Sequence, residues 1–271
     1  MSSYISLSYF DLALAAVFIV LNGVISIAFK LGLAKKLLIV SLRMVAQLLL
    51  VGLLLSWIFS VSSLWLTAGI ALAMALFAGR EIWARQERKL AGIWGFGIGT
   101  GAMMFAGMFV TLIALNTQIQ PDPWWSPRYS LPLFGMILGN TMTGVSLALD
   151  RLTAMVVREK NAIEARLLLG LTRWQAMRPF VRASLRAGFM PIINAMAAMG
   201  IVSLPGMMTG QILSGVAPQE AVKYQILVMF LIGGATGLGV IGATFAATMR
   251  LSDDRHRLRL DRLKSSHTPT Y

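Results

Sequence analysis

Few side chains in this sequence can do chemistry, and their types narrow the choices sharply. There is no cysteine, and both histidines, His256 and His267, lie near the C-terminus. That removes thiolate and disulfide chemistry, and it keeps imidazole ligands out of every long apolar run. No Gly-Lys dipeptide occurs, so the chain carries no P-loop for a nucleotide. What remains are amides, hydroxyls and thioethers set in apolar sequence. Gln47, Asn140 and Gln225 are amides inside such runs, and Ser203, Pro205, Gly206, Met207 and Met208 lie where one run breaks. Polar groups in such places either hold helices together or line a path. These eight residues form the candidate path or gate.

A second group lies in a basic stretch between two apolar runs. Ile163, Leu167 and Leu171 recur at helical spacing, with Glu164, Ala165, Gly170 and Thr172 between and after them. The pattern predicts one amphipathic helix from Ile163 to Trp174, its apolar face free to dock on a partner. Glu164 near its start suits the positive end of the helix dipole. Gly170 gives room for a close contact or a turn. Pro179 is expected to start the helix that follows.

These residues have to be positioned by membrane-spanning helices. The 271 residues are 57% hydrophobic and only 13% charged, against roughly a quarter charged in soluble domains. A span takes about 20 apolar residues. Segments near 9–29, 37–59, 64–83, 93–115, 131–149, 187–204 and 221–248 qualify, which predicts an all-α integral membrane protein of about seven helices. Residues 1–250 read as one polytopic domain and 251–271 as a charged tail, with a frayed helix expected there. An outside N-terminus and a cytoplasmic C-terminus put every Lys and Arg except Arg128 and Lys223 on the inner side. The net charge of +13 is thus a topology signal and a phospholipid-facing belt rather than a nucleic-acid footprint.

Glycines at spacing four, Gly97/Gly101, Gly135/Gly139 and Gly233/Gly237, predict close helix packing. The loop at 116–131 holds three prolines and is read as non-helical. Asn140 either joins two helices or lines a path. Leu204-Pro205-Gly206 predicts a broken or re-entrant element, because irregular backbone at membrane depth survives only against protein or water.

Two stretches carry a resemblance. The Glu164-Ala165-x-x-x-x-Gly170 spacing is that of the cytoplasmic coupling loop of ATP-binding-cassette permeases. The run from Gly200 to Phe230, with the upstream Gly135 to Asn140 stretch, resembles the FetB-type permeases of bacterial iron-export transporters, related to plant aluminium-tolerance permeases. The resemblance implies the membrane subunit of an ATP-driven transporter in the inner membrane, a homodimer rather than an enzyme. It implies iron export, with a role in metal homeostasis and oxidative-stress resistance. ATP and Mg would bind a separate cytoplasmic ATPase, and no cofactor this chain. Thioethers suit soft ions better than Fe2+, so Met207 and Met208 read first as packing residues. An ion-coupled secondary transporter, or a cassette permease for a non-metal substrate, are the alternatives.

Overall fold

The computed structural model describes residues 8–61 and 63–264, and every regular element among them is helical. The chain divides into two compact units, residues 1–62 with 213–215, and the remainder.

The first unit is a helical hairpin of α1 (Tyr9–Ala28) and α2 (Ala34–Val61). Ser8 caps α1: its hydroxyl accepts from the Asp11 N–H at 3.3 Å, and the Asp11 carboxylate accepts from the Ser8 N–H at 2.8 Å. The turn bends at Lys30 and Gly32, both at positive φ, and the Ser26 hydroxyl accepts from the Leu33 N–H. Ser26 is the buried residue of α1 and Ile58 that of α2.

The second unit is built on α5 (Pro127–Arg158), which packs against α3 (Leu64–Arg85), α4 (Trp94–Ala114), α7 (Arg173–Ala198) and α9 (Pro218–Arg250). Between α5 and α6 (Lys160–Leu168) the chain turns a corner, and α8 (Gly206–Leu213) is a short helix ahead of α9. The bundle is held by close approach at glycines. A Cβ added at Gly144 would meet the Gly188 carbonyl oxygen at 2.8 Å, and one at Gly188 would meet Val240 at 2.7 Å. Gly239 lies as close to Thr141. Without side chains at these points, three helix backbones come near enough for extensive dispersion contact.

The spaced glycine pairs divide: a Cβ added at Gly233 would meet Met196 at 2.7 Å, one at Gly237 Phe189 at 3.2 Å and one at Gly135 Met74 at 3.0 Å, as close packing predicts, but the others do not pack. Gly97, Gly101 and Gly139 face open space, whereas Gly95 and Gly99 press on Leu90 and on Ile82. Spacing puts two glycines on one face of a helix, but it does not say that the face points inward.

Among the described residues six helices are long and apolar enough to span a membrane: α1, α2, α3, α4 with its π-helical extension Leu115–Ile119, α5 and α9. The seventh expected span differs. Helix α7 begins well before it, at Arg173, and ends at Ala198, so the apolar segment near 187–204 is helical only in part. Its 26 residues reach about 39 Å, and Gly188 and Ile192 are buried in the bundle. Arg178, Arg182 and Arg186 lie exposed along its first half, and these charges keep the helix from qualifying by composition.

Two proline expectations are corrected. Pro179 lies inside α7, which starts instead at a capping box of Thr172 and Gln175. The proline-rich loop is shorter than expected, because Leu115–Ile119 is a π-helical turn and Pro127 opens α5, where its missing N–H costs nothing. The described part of the tail, as far as Lys264, is not a frayed helix, and the rest of that expectation, 265–271, lies outside the described residues. After Arg250 the chain reverses, and Leu258, Leu260 and Leu263 pack on the bundle core.

Candidate functional site

The corner between α6 and α7 follows from local rules. The Gly170 N–H donates to the Leu167 carbonyl at 3.0 Å and the Leu171 N–H to the Arg166 carbonyl at 3.2 Å, with Gly170 at φ +84°. This is the Schellman termination, and its left-handed position favours glycine. Two residues later Thr172 accepts from the Gln175 N–H, while the Gln175 side chain accepts from the Thr172 N–H at 2.9 Å. Helix stop and helix start therefore meet within four residues. The single helix expected from Ile163 to Trp174 is in fact two.

The docking face is also redistributed. Ile163 is fully buried in the chain's own core, and Leu167 packs against the same cluster. Leu171 is half-buried and Glu164 pairs with Lys160 at 3.7 Å. Arg166 donates to the Ala176 carbonyl at 3.3 Å and lies over the Phe180 ring, which fixes α6 against α7. The apolar residues left outward are Leu168 and Leu169, 88% and 82% exposed, beside exposed Ala165 and Gly170. Among the described residues nothing covers this pair of leucines at the tip of a basic corner.

The returning tail fastens this end of the bundle. The Ala91 N–H donates to the Arg262 carbonyl at 2.7 Å, and the Lys264 N–H donates to Lys89 at 2.8 Å. The Arg262 guanidinium donates to the carbonyls of Arg250 and Ser252. Lys89 and Lys264 both lie over the Trp83 ring. At its outer tip, Arg173 pairs with Asp254 at 3.1 Å and donates its backbone N–H to the His256 Nδ1 at 3.3 Å. The two attachments differ in strength. A fully buried leucine contributes about 1.5–3 kcal/mol, and three partly buried ones anchor the segment 258–264. The Asp254 side chain is 99% exposed, and such a pair is worth about 0–1 kcal/mol. Arg259 beside Asp261 holds that carboxyl at a pKa of about 2, so the pair stays charged at any ordinary pH.

The expected path residues are not gathered into one site. Asn140 is exposed on α5 and donates to the Met136 carbonyl at 2.9 Å; Thr143 donates to Gly139 at 3.0 Å. Gly139, Asn140, Thr143, Leu147 and Arg151 thus form a mixed stripe on the side of α5 away from its partners. Gln47 is exposed on α2. Ser203, at an exposed turn, accepts through its carbonyl from the Gly200 N–H. Pro205 precedes α8, Gly206 starts it, Met208 is buried and Met207 packs on the second core cluster. Both methionines thus act as fillers. Gln225 is buried, its amide nitrogen 4.0 Å from the Met199 sulfur and its carbonyl oxygen without a partner. Among the described residues no group of three His, Cys, Asp or Glu could hold a metal.

A polytopic bundle of long apolar helices is the architecture of an integral membrane protein. The comparisons agree. The chain belongs to the family described as "Uncharacterised protein family (UPF0014)", which matches residues 9–251. It is 34% identical over 256 residues to the Escherichia coli K12 protein named "Probable iron export permease protein FetB", covering 94% of this chain and 96% of that one. It is 39% identical over 217 residues to the Synechocystis membrane protein slr1647, covering 79% and 82%. It is 31% identical over 234 residues to the Arabidopsis thaliana protein ALUMINUM SENSITIVE 3, covering 86% and 83%. No solved structure matches the chain. The family expected from the Gly200–Phe230 run is therefore the family found.

Proposed function

We propose that this chain is the membrane permease subunit of an ATP-driven iron exporter, working as a homodimer with a separate cytoplasmic ATPase in the inner membrane. The observation that carries the reading is the near end-to-end similarity to the protein named as a probable iron export permease. The α6–α7 corner supports the ATP-driven part, since its exposed Leu168 and Leu169 suit a docking pocket on a soluble subunit. ATP and its Mg bind that subunit. The corner then lies in the cytoplasm, which agrees with the basic residues gathered at this end. A second copy covers the α5 stripe of Gly139, Asn140 and Thr143, and the path runs along it. An amide at membrane depth is costly unless it meets protein or water, and a path supplies both.

The test is iron content in cells loaded with iron and expressing the chain with the cassette ATPase of its own organism. Iron should fall, and the fall should vanish when the P-loop lysine of the ATPase is replaced. Unchanged iron with both subunits present in the membrane rejects the substrate. Iron loss that persists without an active ATPase favours the ion-coupled alternative.

A further inference from the structure

The tip of the returning tail touches the corner that the function needs. We propose that Asp254 and His256 are positioning residues: they form a breakable latch on the start of α7, carried by the segment 258–264 packed on the core, and the latch sets how the α6–α7 corner is presented to its partner. The inference rests on the reading of that corner as the docking point.

Three observations carry it. First, the latch grips the corner itself. Arg173 is the first residue of α7, next to the Thr172 cap, and its backbone N–H is one of those that the helix cannot satisfy internally. The His256 Nδ1 accepts from it, and Asp254 holds the guanidinium of the same residue. Second, the residues that hold the latch are shaped for it. His256 stands at φ +56°, and the Asp253 carboxylate accepts from the backbone N–H groups of Arg255 and Arg257 at 3.0 and 2.9 Å, which fixes the turn bearing His256. These bonds and the neighbouring arginine side chain hold the Asp253 carboxyl below its usual range, which favours the charged form that accepts them. Third, the far end of the tail is tied elsewhere, to Ala91 and Lys89 of the α3–α4 turn and to the end of α9. The latch therefore links the corner to the ends of three spanning helices. The anchors are partly buried against the core and the latch is exposed, so a moving corner breaks the latch and leaves the strap in place.

The test uses the full chain in lipid nanodiscs and the double variant D254A/H256A, which touches neither the leucine anchors nor a spanning helix. Hydrogen exchange at Leu171–Ala176 should rise roughly five- to tenfold, the range for losing an exposed ion pair and a hydrogen bond. Exchange within α9 should not change. The variant D254E/H256N keeps a carboxylate and an acceptor, and asparagine tolerates positive φ, so it should restore slow exchange. Unchanged exchange in the double variant overturns the latch. Binding of the purified cassette ATPase is measured on the same samples. It should weaken severalfold in the double variant and recover in the conservative one. Faster exchange with undiminished binding overturns the positioning role. If the wild-type chain captures no ATPase, the proposed function fails instead, and the exchange experiment alone decides whether the latch exists.

Discussion

The two units of this protein are apolar in opposite ways. In α4, α5 and α9 about half of the most apolar stretch is buried inside the bundle, where glycine, alanine and threonine are mixed with leucine, isoleucine and valine. In α1 and α2 almost nothing is buried, and leucine, valine and phenylalanine point outward on every side. Lipid tails are as apolar as leucine, so large side chains gain little by leaving lipid for a protein interior. Small residues gain more, because they let backbones approach. What distinguishes the packed helices is therefore the small residues set among their large buried ones.

This contrast breaks first at the glycine seam. Gly188→Leu drives a side chain into Val240, Ala148 and the Gly144 carbonyl. Overpacking by extra methylenes costs about 1–3 kcal/mol or more, and the α5–α7–α9 contact should separate, seen as a large fall in melting temperature in detergent. Gly97→Ala is the matched control, since nothing lies within 4 Å of it. It should leave stability unchanged or raise it by about 0.4–1 kcal/mol. A stable Gly188→Leu protein would mean that the seam is looser than its geometry.

Next comes the corner, where one helix turn holds a buried and an exposed residue. Ile163→Asp places a charge in the core and should cost a few kcal/mol or more in melting experiments. The pair Leu168→Asp and Leu169→Asp should leave melting within about 0.5 kcal/mol yet lose ATPase capture by more than tenfold, since an unpaired charge would be desolvated in the pocket. Retained capture would place docking elsewhere. Gly170→Val forces a β-branched residue to φ +84° and should lower stability by about 1–2 kcal/mol, with the loss confined to the corner in hydrogen exchange.

The smallest effect is expected in the first unit. Leu49 is exposed on α2, and Leu49→Ala should change the melting temperature hardly at all, within about 0.5 kcal/mol. A loss of several degrees would show that α2 packs against protein in the assembled transporter.

The site was partly legible. The corner's stop and start are written in Gly170 and in the Thr172-x-x-Gln175 box, and recognising that box would have split the expected helix. The spacing of Ile163 and Leu167 marked one face of α6, while Leu171 falls beyond the Gly170 turn. It did not say that the face turns inward, because periodicity is blind to what lies opposite. Leu168 and Leu169 went unnoticed for the same reason. The tail gave a misleading signal: its many charges obscured Leu258, Leu260 and Leu263, which carry it back to the core.

By itself the sequence determined the class, the family and most helices, because long apolar runs, caps and chain-length motifs are local properties of the chain. Only the tertiary structure decided which glycines touch, which leucines of the corner remain outside, and that the tail grips the start of α7. Those are contacts between residues far apart in the chain, and their energies depend on which face of each helix meets which neighbour. Local pattern sets the faces; only the packed bundle chooses among them.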